Sequence, residues 1–407
     1  MRVLMVSDVY FPRVNGVSTS IQTFRRELAT QGVTVDLIAP SYPGEVDEAG
    51  IWRIPSRYVA IDPEDRLMRR GQVRDLLPRL RGAGYQLVHV QTPFIAHYAG
   101  LEIARALGVP VVTTYHTFFE EYLHHYARGV PASWTRALAR RFSRGQCNAT
   151  DGVVAPSGAM CDALRQYGVT VPIEVIPTGI PLERFQGGDR AAFRRAHGLG
   201  QQQEVALFVG RVAHEKNIGL LLQVAERLRY RRPAFVLLIA GEGPALGSLQ
   251  VQAQKLGLGG IVRFIGYLDR STSLIDCYRA ADLFVFGSTT ETQGLVLLEA
   301  MAMGLPVVAI PAMGARDILL PERGCLCAKD DAIDFAEKVE RVLQQPDLHR
   351  RLATEAQAYA QRWSAPATAE RMADFYKRTV VTTAMNEASP RTGLKSRKPG
   401  QGKAKTV

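Results

Sequence analysis

The strongest constraint on this chain is an alternation. Short, wholly apolar runs are each followed by a stretch whose apolar residues recur at helical spacing. Residues 2–7 (Arg-Val-Leu-Met-Val-Ser) read as a buried strand, and a helical pattern runs from Ser18 to Thr30. Thr34–Ala39 is the next strand, ending at Pro40. Leu87–Gln91, Val109–Tyr115 and Gly152–Ala155 continue the series, with helices Ile95–Leu107 and Gly158–Tyr167 between them. Strands with no polar alternation need cover on both faces, so the pattern predicts a parallel sheet between layers of helices.

After the Pro/Gly-rich passage Ile176-Pro-Thr-Gly-Ile-Pro181 the alternation restarts. Strands are expected at Glu204–Val209, Ala234–Ala240, Ile261–Ile265, Leu283–Phe286 and Pro306–Ala309, with helices Ile218–Arg229, Leu246–Leu256, Ser273–Ala280 and Leu295–Met303 between them. The reading is therefore α/β: two doubly wound, Rossmann-like domains facing each other across a cleft, 1–180 and 181–364, with a hinge near Ile176–Phe185. A helix over 365–381 and a basic flexible tail over 382–407 complete it. A length of 407 residues suits two such domains. Ligands of open parallel sheets lie at the carboxyl ends of strands, which directs attention to the loops there.

The net charge of +11 comes from 50 basic and 39 acidic residues. Much of it is local: the C-terminal stretch carries Arg391, Lys395, Arg397, Lys398, Lys403 and Lys405 against Glu387, and Arg128, Arg136, Arg140, Arg141 and Arg144 follow one another without an acid. On a helix from about Ser133, Trp134, Leu138 and Phe142 share one face and Arg136, Arg140 and Arg144 lie roughly opposite. Such a helix either docks on its own protein by the apolar face or lies on an anionic membrane surface. Nucleic acid is not expected, because no aromatic stacking platform or base-reading motif accompanies the charge. No secretion signal is recognisable, and the most apolar stretch, Gly294 to Gly314, is broken by Glu299, glycines and prolines, short of a membrane span. Five scattered cysteines form no disulfide framework or zinc site and fit a reducing, cytoplasmic setting. Nothing in the sequence indicates an oligomeric state.

Two loops carry the chemistry. Gly210-Arg211-Val-Ala-His-Glu215-Lys216-Asn217 follows strand Glu204–Val209 and leads into a helix. It sets two permanent cations and free backbone N–H groups at one strand end, suited to a diphosphate. Gly287-Ser-Thr-Thr-Glu291-Thr-Gln-Gly294-Leu-Val-Leu-Leu-Glu299 follows strand Leu283–Phe286, with Gly294 opening a helix. Glu291 and Glu299 suit sugar and ribose hydroxyls, and N–H groups at Gly294 and Leu295 add anion-binding capacity. Glu299 sits in Leu-Val-Leu-Leu-Glu-Ala-Met-Ala, where an unpaired carboxylate is costly, so a partner or ligand is expected.

Gly210-Arg211, Glu215-Lys216-Asn217, Gly241-Glu-Gly243-Pro244 and Glu291-x7-Glu299, followed by Ala300-Met-Ala-Met-Gly-Leu-Pro-Val-Val, resemble in order the motifs of the retaining nucleotide-sugar glycosyltransferases of the GT-B fold, glycosyltransferase family 4. The resemblance covers roughly residues 1–380. It implies that Arg211 and Lys216 hold the donor diphosphate, Glu299 the ribose, and Glu291 with Thr292, Gln293, Gly294 and Leu295 the donor sugar. In Val14-Asn15-Gly16-Val17-Ser18, where family members often carry two adjacent glycines, Gly16 would let backbone approach the phosphates. His116 would contact the donor sugar, and Tyr267 and Leu268 would flank the base. The resemblance implies front-face substitution with retention. No cofactor is expected, and no D-x-D sequence occurs, so transfer is expected without a metal. Glu120, Glu121, His124 and His125 form a cluster of metal-binding residue types without a ligand spacing.

The segment from Tyr115 to Tyr126, with the basic helix after it, resembles family members that glycosylate diacylglycerol or glycolipids at the cytoplasmic leaflet. The expected partners are a nucleotide-sugar donor, a lipid or saccharide acceptor, and an anionic membrane surface touched by Trp134, Arg136, Arg140, Arg141 and Arg144. UDP-glucose is favoured; GDP-mannose-dependent α-mannosyl transfer is the alternative, since Asn15-Gly16-Val17-Ser18-Thr19-Ser20 is shared with GDP-mannose users. Two other classes compete. Gly241-Glu-Gly243 suggests a nicotinamide dehydrogenase, but its third glycine is out of step at Gly247. A non-catalytic lipid- or sugar-binding protein would not need Arg211, Lys216, Glu291 and Glu299 together.

Overall fold

The computed structural model describes residues 1–45, 47–58, 66–116, 132–270 and 272–388. Nine strands occupy the first part: β1 (Arg2–Val6), β2 (Thr34–Pro40), β3 (Ile51–Ile54), β4 (Ser56–Tyr58), β5 (Arg66–Met68), β6 (Leu87–Val90), β7 (Val111–Thr114), β8 (Gly152–Ala155) and β9 (Ile173–Val175). Seven of them form a parallel sheet in the order β3-β2-β1-β6-β7-β8-β9, and β4 and β5 pair antiparallel beside it. The second part adds β10 (Glu204–Val209), β11 (Phe235–Ala240), β12 (Val262–Gly266), β13 (Leu283–Phe286), β14 (Val307–Ala309) and β15 (Cys325–Cys327). These form a parallel sheet in the order β12-β11-β10-β13-β14-β15.

The central strands are apolar on both faces because helices cover both. Leu4, Val88, Leu207, Leu238 and Phe284 are fully buried. Burying each such side chain is worth about 1.5–3 kcal/mol. In both sheets the strand order reverses once, between β1 and β6 and between β10 and β13. Adjacent loops diverge at such points and open a crevice. The crevices fall where β1 runs into the Gly16 loop beside Gln91, and where the Arg211 loop lies beside the Glu291 loop.

The chain crosses between the sheets at residues 176–181 and returns at 363–365. The crossings are hydrogen-bonded: Ile180 N–H donates to Trp363 O (2.8 Å) and Ala365 N–H to Ile180 O (2.9 Å). A Cβ on Gly179 would lie 2.5 Å from the Ala365 Cα, so only glycine lets the two strands of chain touch. The last helix, Ala365–Ala388, extends beyond the expected 381. It packs Ala369, Met372, Ala373, Phe375 and Tyr376 into one core with Met5, Ile21, Phe24 and Leu28 of the first part. Tyr376 also bonds the buried His89 on β6 (2.6 Å to Nδ1).

The helix Ala132–Cys147 corrects one expectation. Its buried stripe is Thr135, Ala139, Ser143 and Cys147, small residues four apart, with Phe142 half-buried beside them. Trp134 and Leu138 are not docked: they are 75% and 64% exposed and share the outer surface with Arg140, Arg141 and Arg144. Arg136 is exposed as well. Small side chains let this helix approach the sheet closely, which leaves the bulky ones facing out. Among the described residues no helix is long and apolar enough to cross a membrane. The tail from 389 and the cluster Glu120, Glu121, His124 and His125 lie outside the described residues.

Candidate functional site

The crevice of the second sheet is built by two loops that hold each other. The Arg211 loop leaves β10 and closes in a 3₁₀ turn, His214–Lys216, with Asn217 left-handed at φ 53°. The Glu291 loop leaves β13 and lies across it. Ser288 and Thr290 hydroxyls both donate to Glu215 O, at 3.3 and 3.4 Å. Lys216 Nζ forms a partly buried ion pair with Glu291 Oε1. Arg211 sits exposed at the start of the same loop. Cation, carboxylate and loop backbone are thus gathered at one strand-end crevice.

Gly241 and Gly243 serve this loop. Val212 N–H donates to Glu242 O (2.8 Å) and Ala245 N–H to Val212 O (3.0 Å). A Cβ on Gly241 would sit 1.9 Å from Gly210 O, and one on Gly243 would sit 2.4 Å from Val212 O. The glycines permit that close approach, which is a packing role unrelated to a dinucleotide fingerprint.

Gly294 opens helix Leu295–Ala302 at φ 92°, a conformation that favours glycine. The first N–H groups of that helix have no side-chain cap, as an anion site requires. Two features of the loop escape a sequence reading. Gly314 N–H donates to Glu291 O (2.8 Å), and a Cβ on Gly314 would sit 1.9 Å from Thr292 O. Gly314 is therefore the floor on which the Glu291 loop rests. The buried Gln293 turns its amide away from the crevice to the crossing segment. Its Oε1 accepts from Thr178 N–H (2.8 Å) and its Nε2 donates to Thr178 O (2.7 Å). Thr178 in turn bonds Ser20 through its hydroxyl (2.7 Å). Of the five residues Glu291–Leu295, Gln293 has its side chain fully engaged elsewhere.

Glu299 has the partners that its apolar surroundings demanded. It is 2% exposed, pairs through Oε1 with the Arg270 guanidinium and accepts from the Tyr278 hydroxyl at 2.8 Å on Oε2. The carboxylate beside it raises the pKa of Arg270, and burial raises that of Tyr278 well above a phenol's ordinary value. Two of the roughly four lone-pair directions of Glu299 are thus used, which leaves capacity for a diol. Tyr267 is exposed and Leu268 half-buried on the second core, both just after Gly266, which is left-handed at φ 73°. Glu291 and Glu299 have separate partner sets, one on the β10 side and one on the β12 side.

Across the molecule, Asn15 caps helix Gly16–Thr30 by accepting from Ser18 N–H (2.8 Å). Gly16 is exposed and a Cβ there would meet nothing within 4 Å, so its surroundings are open to an approaching group. His116 follows β7 and bonds Gln91 Oε1 through Nε2 (2.9 Å). Burial pushes the His116 pKa down to about 4, so the ring is neutral. Asp8, after β1, accepts from Thr92 Oγ1 and from Ala96 N–H at 2.8 and 3.0 Å. It caps helix Ile95–Leu107 there, and burial pushes its pKa up to about 6. The two halves also meet where Asp317 Oδ2 accepts from Gly158 N–H (2.6 Å).

Residues 14–184 match Glycosyltransferase Family 4 and residues 189–359 match Glycosyl transferases group 1. The α-monoglucosyldiacylglycerol synthase of Streptococcus pneumoniae is 36% identical over 76% of this chain and 71% of its own length. A GDP-mannose-dependent α-mannosyltransferase of Mycobacterium tuberculosis is 30% identical over 88% of this chain and 90% of its own. Among solved structures, Anabaena HepE in complex with UDP superposes with a TM-score of 0.74 at 18% identity, covering 93% of this chain and all of that one.

Proposed function

Since the chain belongs to the family 4 glycosyltransferases and has their GT-B fold, we propose that this nucleotide-sugar glycosyltransferase moves a hexose, glucose from UDP-glucose first, onto a lipid acceptor such as diacylglycerol or a glycolipid. The observation that carries the reading is the crevice between β10 and β13, where Lys216, Glu291 and the Arg211 loop are locked together. Arg211 and Lys216 bind the diphosphate. Glu299 takes the ribose diol while Arg270 and Tyr278 hold it in place, and Tyr267 and Leu268 flank the base. Glu291, with backbone groups of Thr292, Gln293, Gly294 and Leu295, holds the sugar. Gly16 leaves room for the phosphates from the opposite side, and His116 meets the sugar as a neutral imidazole.

The bond from the anomeric carbon to the diphosphate breaks, and the acceptor oxygen bonds to that carbon from the same face. Attack from the leaving group's own face retains the configuration; the departing phosphate oxygen takes the acceptor's proton, and no protein nucleophile or metal takes part. Negative charge grows on the diphosphate as it leaves, and cations already in place stabilise that state more than the ground state.

The outer face of helix Ala132–Cys147 supports the lipid part. Trp134 and Leu138 supply apolar insertion, and Arg136, Arg140, Arg141 and Arg144 supply charge for anionic headgroups at the cytoplasmic leaflet. The diacylglycerol-linked name of the pneumococcal relative points to the same acceptor class, while the mycobacterial relative's name makes GDP-mannose the second donor to try. The test is nucleotide release from a panel of UDP- and GDP-sugars, with diacylglycerol in anionic vesicles. Release from UDP-glucose, raised by the acceptor, and weaker vesicle binding by Trp134→Ser are expected. No release from any donor would overturn the catalytic reading, and indifference to anionic lipid at low salt would remove the membrane part.

A further inference from the structure

At the first sheet's crevice the side chain of Gln91 is buried with its amide only half satisfied. Gln91 follows β6 and is 3% exposed. Its backbone N–H is satisfied by Val6 O at 2.9 Å. Its side-chain Oε1 accepts from His116 Nε2, at 2.9 Å. Its side-chain Nε2 is buried and has no hydrogen-bond partner among the described residues. A buried amide N–H left unpaired is costly unless a ligand or water completes it, so such groups in a crevice mark where something binds.

Space is available beside it. Gln91, Thr113, Thr114, His116, Gln146 and Cys147 contribute to a cavity of about 20 Å³, room for one small polar group. The walls are otherwise committed. Thr113 bonds Val90 O, Thr114 bonds His89, and Gln146 Nε2 donates to Pro93 O at 2.5 Å. Because a carboxamide oxygen only accepts, His116 must carry its hydrogen on Nε2, leaving Nδ1 as a bare acceptor.

We propose that Gln91 is a positioning residue for the reaction: its carbonyl fixes the His116 tautomer, and its unpaired amide N–H receives a substrate hydroxyl in the adjoining cavity. The substrate half rests on the glycosyltransferase reading; the tautomer half stands without it. The hydroxyl belongs either to the donor hexose or to the acceptor, and the two sources separate experimentally. The titratable groups described around His116 are His89 on β6, itself held neutral by burial, Cys147 on helix Ala132–Cys147, whose thiol burial pushes up to about 12, and Tyr115, whose hydroxyl bonds Ser143 at 2.6 Å. None of them is a carboxylate or a permanent cation, so a carboxylate introduced at position 91 would dominate the ring's titration.

Two measurements on the full chain decide it. The first is ¹⁵N NMR of the histidine rings in wild type, Gln91→Leu and Gln91→Glu. The expected result is an Nε2–H tautomer for His116 that Gln91→Leu loses, and a His116 pKa raised by one unit or more in Gln91→Glu. An Nδ1–H tautomer in the wild type, or a His116 titration blind to Gln91→Glu, would overturn the proposal. The second measurement compares UDP release from UDP-glucose in water with transfer to diacylglycerol in vesicles. Gln91→Leu should lower kcat about tenfold with little change in the KM for the donor. A loss in both reactions assigns the hydroxyl to the hexose, and a loss in transfer alone assigns it to the acceptor. Unchanged rates in both would overturn the hydroxyl role. A wild type without any turnover would count against the function itself, and the NMR result would still decide the tautomer.

Discussion

The pairing of Lys216 with Glu291 yields a prediction in which two variants move nucleotide affinity in opposite directions. Lys216 holds the Glu291 carboxylate, with side chains 21% and 16% exposed. To bind a diphosphate, Lys216 must share or leave that partner. On the proposed role of Lys216, Lys216→Ala should remove a charged hydrogen bond to phosphate, about 1.5–3 kcal/mol, or roughly 10- to 150-fold in the Kd for UDP. Glu291→Gln removes only the competitor. A pair with this much solvent contact is worth about 1 kcal/mol, so UDP should bind about fivefold tighter to Glu291→Gln. Turnover should respond differently: with Glu291 at the sugar and Lys216 at the leaving group, as proposed, both variants should lose about 10²-fold. Calorimetric titration with UDP and a coupled assay of UDP release read the two quantities separately. If Glu291→Gln weakened UDP as much as Lys216→Ala does, the two residues would be acting as one structural unit and the competition argument would be wrong.

Other consequences follow from groups around the site. Gln293→Ala leaves the N–H and C=O of Thr178 buried without their partner. It should lower unfolding free energy by about 2–4 kcal/mol in urea titration, and an unchanged midpoint would deny Gln293 a part in holding the crossing segment. Gly314→Ala forces a Cβ to within 1.9 Å of Thr292 O. It should displace the Glu291 loop and lower kcat about tenfold or more with the far-ultraviolet circular dichroism intact. Burial pushes His89, His97 and His116 down to about 3, 4 and 4. Below about pH 6.5 the unfolded chain therefore binds protons that the folded chain refuses, and stability falls as pH falls. Asp8, pushed up to about 6, works in the opposite sense but is one group against three. Urea unfolding at pH 7 and pH 5 should show the loss, reduced in His97→Gln; equal stability at both would contradict it.

The central strands were legible because burial on both faces leaves continuous apolar runs, as in Phe235–Ala240 and Leu283–Phe286. The edge strands β3, β9 and β15 were not: they are three or four residues long, and on an edge there is less to exclude polar side chains. In the basic helix the large side chains dominate the sequence pattern, whereas the docking stripe is Thr135, Ala139, Ser143 and Cys147, which periodicity weighted by bulk passes over. For Glu299, sequence reasoning demanded a partner but could not select Arg270 and Tyr278, which arrive from β12's loop and the following helix. The place of Gln293 between Glu291 and Gly294 suggests a crevice residue, and only the crossing chain at Thr178 shows where its amide goes. Gly314 left no local signal, since its role is contact with a backbone twenty-two residues earlier in the sequence.

The two cations after β10 are the groups on which donor binding and turnover should depend most. Transfer from UDP-glucose to diacylglycerol in anionic vesicles should be measured for the wild type and for Arg211→Ala combined with Lys216→Ala, alongside UDP affinity. The expected outcome is turnover lower by about 10³-fold or more, with UDP binding weakened in parallel. Turnover and affinity both unchanged in the folded double variant would contradict it.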